Sequence, residues 1–283
     1  MRLITLHNDA LTIVISTLGA EMQSIRDQNG IERLWQGDPA FWTGRAPILF
    51  PVAGGFREDC YVLDGVRYPM PKHGFARRSE WQVEAAAQDR AVFLLARQTP
   101  GFPFDYELRA RYALKGNAVE VSYEVSSRDE RPFYFSLGAH EAYATPEGIE
   151  EYELVFDEPE TLAHYPPEGK LTSRTPVIMA ENARVLPLKT EYFAIDALVF
   201  LTLKSRGVTL RSRLHNRTVH VSFPGHPYCL FWTKPGAGYL CIEPWCNAPD
   251  FADADLRIDH KPGFLRICQG QAIARTHTIT FGS

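Results

Sequence analysis

Apolar and polar positions alternate with a period of two through much of this chain. Residues 119–126 read Val-Glu-Val-Ser-Tyr-Glu-Val-Ser, so Val119, Val121, Tyr123 and Val125 share one face of a strand while Glu120, Ser122, Glu124 and Ser126 share the other. Residues 106–112 alternate likewise, and Lys115-Gly116-Asn117 supplies the turn that joins the two into a hairpin. The same strand–turn–strand reading covers residues 20–25 with 31–35 about Gln28-Asn29-Gly30, and 81–87 with 91–98 about Gln88-Asp89-Arg90. Residues 208–214 pair with 218–223 about His215-Asn216-Arg217, and residues 270–281 add one more strand. No long segment keeps a 3.6-residue apolar stripe. Many strands at short spacing, with little helix between them, predict an all-β fold: a large antiparallel β-sandwich with few short helices. Residues 159–176 hold four prolines and read as an excursion over the surface. With no linker and no internal repeat, residues 1–283 are expected to form one domain.

Composition narrows the partners. The 283 residues are 45% hydrophobic and 23% charged, which suffices for a large core. A net charge of −4 offers nothing to a nucleic-acid backbone or an anionic membrane, so neither is expected as a partner. His7, Asn8 and Asp9 come too early for a signal-peptide apolar region, and no apolar run approaches the roughly 18 residues of a membrane span. Cys60, Cys229, Cys241, Cys246 and Cys268 are odd in number and scattered, and are expected as buried free thiols in a reducing cytoplasm. Cys241 and Cys246 have no second pair to complete a zinc set. The run Asp250-Phe-Ala-Asp253-Ala-Asp255 lacks the glycine and glutamate of a calcium loop and reads as an acidic cap on a short helix. Lys204, Arg206, Arg211, Arg213 and Arg217 read as the solvated face of a hairpin. No phosphate-cradling loop, nucleophile elbow or dinucleotide fingerprint is present, and no cofactor or metal is expected.

The candidate chemistry sits in two segments, Phe135-Ser-Leu-Gly-Ala-His140-Glu-Ala-Tyr143 and Gly238-Tyr-Leu-Cys-Ile-Glu243-Pro-Trp245. Each ends an apolar run with one proton-transfer group, and a His–Glu pair facing one cleft can move two protons on one small molecule. A satisfied structural histidine at 140 and a structural salt bridge at 243 are the plainer readings. Gly138 would allow close backbone approach to a ligand beside His140. Lys72-His73-Gly-Phe-Ala-Arg77-Arg78 is a glycine-containing cationic loop, either a ligand contact or a solvated turn in which Arg77 bridges to an acid. Arg45 lies comparably before Ala46-Pro47, and guanidinium groups suit sugar oxygens and phosphates. Asp196 is either a hydroxyl-binding carboxylate or the end of a turn. Trp42, Trp245 and Phe75 flank these motifs, with Trp245 the best stacking surface for a sugar ring, whereas Trp35, Trp81 and Trp232 read as packing.

The ordered set Gly19-Ala-Glu21, Trp42-Thr-Gly-Arg45-Ala-Pro-Ile-Leu-Phe-Pro51-Val-Ala-Gly54, Lys72-His73-Gly-Phe-Ala-Arg77, Gly138-Ala-His140, Ile195-Asp196-Ala-Leu198, Cys241-Ile-Glu243-Pro-Trp245 and Lys261-Pro-Gly263 spans almost the whole chain. It resembles the aldose 1-epimerase (mutarotase) family, in the branch of hexose-6-phosphate mutarotases and epimerase-like proteins. The resemblance implies a galactose mutarotase-like supersandwich that interconverts the α and β anomers of a free or phosphorylated hexose. It also implies His140 as the acid that protonates the ring oxygen and Glu243 as the base at the C1 hydroxyl. Arg45, His73, Arg77, Asp196 and Trp245 would bind the sugar, with no metal or other cofactor.

Two departures accompany it. Relatives usually carry proline after the acid histidine, where this chain has Glu141, whose carboxylate would raise the His140 pKa if it pointed inward. The asparagine-rich histidine motifs of galactose mutarotases proper are missing, and Arg45 with Arg77 tilts the substrate toward an acidic sugar. Two other classes stay open on the sequence: a noncatalytic sugar-binding or regulatory protein, and a glycoside hydrolase or lyase using Glu141 or Asp196 as its second carboxylate.

Overall fold

A computed structural model describes residues 1–169 and 171–282. Thirteen of the described strands join one antiparallel sheet, in the order Glu141–Ala144, Tyr239–Trp245, Tyr228–Trp232, Leu198–Phe200, Tyr152–His164, Gly207–Ser212, Thr218–Ser222, Ala272–Gly282, Ala118–Ser127, Tyr106–Lys115, Arg90–Leu95 and Gln82–Ala86, with Val177–Pro187 added beside Tyr152–His164. A second, three-stranded sheet is formed by Leu3–His7, Leu11–Ser16 and Met22–Asp27. The helices are single 3₁₀ turns. The fold is the all-β, large antiparallel sandwich that the alternation predicts.

The reason is visible in the pairing. Residues 106–127 form the hairpin read from the sequence, with Leu108 opposite Val125 and Tyr112 opposite Val121. Val119, Val121, Tyr123 and Val125 are buried, while the polar face between them carries cross-strand pairs such as Arg111–Glu124 at 3.0 Å. Ala272–Gly282 continues this sheet on the far side of Ala118–Ser127 and pairs with Thr218–Ser222 as well. Gln82–Ala86 pairs with Arg90–Leu95, and Gly207–Ser212 with Thr218–Ser222, close to the expected spans. One apolar cluster runs from Ile4 to Phe281 and draws on both sheets.

Three expectations are corrected. Residues 20–25 and 31–35 do not form a strand pair: Met22–Asp27 pairs with Leu11–Ser16, and only the isolated bridge Arg26–Glu32 joins it to the later segment. The Glu32 carboxylate accepts from the Ile25 and Leu34 amides at 2.8 and 3.1 Å, so a side chain takes ladder positions that a strand would fill. The proline-rich stretch is a surface excursion only in part. Residues 159–164 belong to the 13-residue strand Tyr152–His164, with Glu160 and Leu162 buried. Pro159 is tolerated because the pairing shifts register between Val155 and Glu160, where no amide is required. Beyond it, Pro167–Glu168 and Leu171–Thr172 make a small hairpin, and Lys170 within this stretch lies outside the described residues. Finally, the acidic run does not cap a helix. The 3₁₀ turn Ile258–His260 has no side-chain cap, and Asp250 instead holds the buried Lys261 ammonium with both oxygens at 2.8 Å.

Candidate active site

Strand register brings the two proton-transfer groups together. Glu141–Ala144 pairs antiparallel with Tyr239–Trp245, Glu141 opposite Ile242, so the preceding His140 falls opposite Glu243. His140 Nε2 lies 3.4 Å from Glu243 Oε2. The backbone beneath is pinned on both sides: Ala139 N–H donates to Pro244 O at 3.0 Å, and Leu49 and Gly138 exchange amide bonds at 2.9 and 3.1 Å. Gly138 is required for this packing and not for a ligand, since a Cβ there would meet Ala53 Cβ at 2.9 Å and Trp245 Cδ1 at 3.0 Å. Alternation along Tyr239–Trp245 then turns Glu243 and Trp245 into a cleft of about 290 Å³.

The opposite wall is the loop read as cationic. His73 sits at φ +66° and is nine-tenths buried, its Nδ1 accepting from Gly54 N–H at 3.1 Å. That bond places the ring proton on Nε2. The ring lies 5.6 Å from that of His140 and 5.7 Å from that of Trp245. Gly74 allows the approach, for a Cβ there would stand 2.1 Å from Phe50 O. Asn247 ties loop to strand, accepting from Ala53 N at 3.0 Å and donating to Ala53 O at 2.9 Å. Arg77, whose Nη2 reaches Lys72 O at 3.3 Å, and Asp196, which accepts from Ala197 N at 2.9 Å, also line the cleft.

Of the sequence-selected residues, the cleft thus contains His140, Glu243, His73, Arg77, Asp196 and Trp245. Arg45 is not among its lining. Its guanidinium donates to Gln23 Oε1 at 2.8 Å and Gln36 O at 2.7 Å, which directs it away. Phe75 packs on Phe50 and Phe102 instead of facing a ligand. Trp232, read as packing, lines the cleft edge-on to Trp42, and Trp42 stacks on the His140 ring at 5.0 Å. Lys72, Thr172 and Asp250 were not singled out. Lys72 adjoins His73 in a loop already noticed, whereas Thr172 and Asp250 meet only through their own backbone contact, Thr172 N to Asp250 O at 2.9 Å. Glu141 points away from the cleft, its Oε1 2.9 Å from His277 Nε2 in the core, so the condition for raising His140 is not met.

Burial dominates the electrostatics. It pushes His140 down to about 3, with Arg77 and Lys72 adding to the shift. Burial likewise raises Glu243 well above the ordinary carboxylate range, opposed by Lys72 and assisted by Asp196. Loss of both protons leaves a buried anion, and gain of both a buried cation. Burial therefore favours the form of the pair that carries one proton in all, a neutral imidazole beside a protonated carboxyl.

The same burial makes acid stability measurable. His73, His140, His164 and His226 have their pKa values held below 6.5 by desolvation, so below that pH the unfolded chain binds protons that the folded chain refuses. Glu243 works in the opposite sense, keeping a proton that the unfolded chain releases above 4.5. Four histidines less one carboxyl leaves up to three extra protons on the unfolded chain between these limits, and stability falls by up to about 4 kcal/mol per unit of acidification. Urea titrations at pH 7, 6 and 5 check this; an unfolding free energy that stays level would refute it.

The family model of aldose 1-epimerases matches residues 2–267. The chain belongs to the aldose 1-epimerase family. Two curated relatives from Lactococcus lactis subsp. lactis, the plasmid and chromosomal forms of Protein LacX, are each 31% identical over 296 residues, covering 98% of this chain and 98% of theirs. Among solved structures, a galactose mutarotase related enzyme from Lactobacillus acidophilus superposes with a TM-score of 0.94 at 28% identity, covering 100% of this chain and 98% of its own. A galactose mutarotase-like protein from Lactobacillus casei ATCC 334 gives 0.91 at 25% identity, covering 99% and 100%. The similarity to these proteins covers 98% or more of the chain, and among its described residues no helix is long and apolar enough to cross a membrane.

Proposed function

We propose that this epimerase-family protein is a mutarotase that interconverts the α and β anomers of a free or phosphorylated hexose. The observation that carries the reading is the buried His140–Glu243 pair, 3.4 Å apart at the floor of a cleft walled by Trp42, Trp232 and Trp245. With the sugar bound, His140 carries the proton and delivers it to the ring oxygen while the Glu243 carboxylate removes the C1 hydroxyl proton. The C1–O5 bond breaks, leaving an aldehyde at C1 and a hydroxyl at O5. Rotation about C1–C2 presents the other aldehyde face, and closure reverses both transfers, returning the O5 proton to His140 and the Glu243 proton to the C1 oxygen of the sugar. No net proton is consumed, which suits a pair holding one proton in total. The aromatic walls pack against the C–H face of a pyranose, and His73 Nε2–H, Arg77 and Asp196 offer donors and acceptors to its hydroxyls. Lys72 and Arg77 on one wall favour a sugar bearing negative charge.

Exchange NMR on equilibrated glucose, galactose and glucose 6-phosphate tests the reading. Anomer exchange rising in proportion to added protein is expected for at least one, fastest for the phosphate. Binding of these sugars with no acceleration of any would leave a sugar-binding protein on this fold and defeat the proposal.

A further inference from the structure

The face of Tyr239–Trp245 that carries Glu243 continues inward to Cys241, two residues earlier on the same strand. Its thiol is fully buried against Ala142, Ala237 and Tyr239, next to Trp42 and Trp232 of the cleft wall, and takes no part in the proton transfers above. One ligand atom from each of His140, Cys241 and Glu243 lies within 4.8 Å of the other two. His140 Nδ1 is buried without a hydrogen-bond partner. The sequence offered Cys241 only Cys246 as a companion; the register of Glu141–Ala144 against Tyr239–Trp245 supplies a histidine instead.

We propose that His140, Cys241 and Glu243 form an inhibitory site for a thiophilic divalent cation of the zinc class. Imidazole nitrogen, thiolate and carboxylate are the three donor types zinc accepts, and tetrahedral coordination separates such atoms by about 3.3–3.6 Å. The His140–Glu243 separation of 3.4 Å already meets this. The thiol closes the rest by a side-chain movement of about an ångström. The fourth position opens to the cleft, for water or a sugar hydroxyl. Binding releases two protons, one from the Cys241 thiol and the one shared by His140 and Glu243. The products are a thiolate and a carboxylate on a 2+ ion with a neutral imidazole, so the centre has no net charge and burial does not oppose it. With the shared proton gone and both groups held on metal, neither proton transfer can occur.

Cobalt(II) reports the site independently of turnover. For this test the protein is made with Cys268→Ser, which removes the partly exposed thiol. Added cobalt is expected to give a thiolate-to-cobalt charge-transfer band in the near ultraviolet that zinc displaces and that Cys241→Ser abolishes. Calorimetry with zinc in buffers of different ionisation enthalpy is expected to show about two protons released per ion. Cys241→Ser is expected to leave anomer exchange unchanged and to weaken its inhibition by zinc at least about tenfold. Cys241→Ala, which buries no hydroxyl, repeats the comparison should the serine variant fold poorly. No band in the parent, a band that survives loss of Cys241, or equal zinc inhibition of parent and variant would each overturn the site. The inhibition rests on the mutarotase reading, but the band does not: a band without anomer exchange would retain the metal site and discard the function.

Discussion

Glu243→Gln is expected to lower the rate of protein-catalysed anomer exchange by about 10²–10⁴-fold, the range for loss of one positioned acid–base group. The amide keeps the shape of the carboxyl and its place against Trp245, so sugar affinity stays within a few-fold. Stability is not expected to suffer, because burial already keeps Glu243 protonated in the empty cleft and glutamine buries no charge. His140→Ala is expected to cost a similar factor, and the double variant little more than either single, since both act in one proton-transfer step. Exchange NMR gives the rate, and a tryptophan-fluorescence titration, with Trp42, Trp232 and Trp245 in the wall, gives the affinity. A Glu243→Gln protein that still exchanges anomers within a few-fold of the parent would remove Glu243 from the mechanism.

The second large effect lies in the core. Glu141 and His277 meet at 2.9 Å with side chains 1% and 0% exposed, and neither Glu141 Oε2 nor His277 Nδ1 has another partner. Removing one member strands the other. Glu141→Leu or His277→Leu is therefore expected to destabilise the protein by about 3–5 kcal/mol. For a chain of 283 residues that corresponds to a fall of roughly 5–8 °C in Tm. Glu141→Leu with His277→Leu together is expected to recover most of the loss, because two apolar side chains need no partner. A double-mutant cycle from urea unfolding measures the coupling. Single variants within about 0.5 kcal/mol of the parent would mean that buried water satisfies the survivor.

Much of this was legible in the sequence because the signals are local. Period-two alternation at 106–126 is a property of neighbouring residues, and a hairpin needs little more than its own strands and turn. His140 and Glu243 stood out because a titratable group inside an apolar run is costly to bury without a purpose. Their meeting was not legible. It depends on pairing Glu141–Ala144 with Tyr239–Trp245 in one register, across about a hundred residues. The direction of individual side chains was equally hidden. Arg45 and Arg77 look alike in sequence, yet Gln23 and Gln36 hold one away from the cleft while the other lines it. Trp232 resembles any packing tryptophan until it is seen that Leu230 lies opposite Glu243 on the neighbouring strand and Trp232 two residues on, one face serving both. Glu141 next to His140 suggested an electrostatic role that alternation along the strand sends to the other face.

The chain by itself therefore determined the all-β class, several hairpins, the lack of long helices among the described residues and the candidates for an acid–base pair, since each follows from residue type and near-neighbour spacing. Only the tertiary structure decided which cations face the cleft, that Glu141 belongs to His277, and that Cys241 lies beside His140 and Glu243. These depend on register and side-chain direction between strands far apart in sequence, which no local pattern encodes.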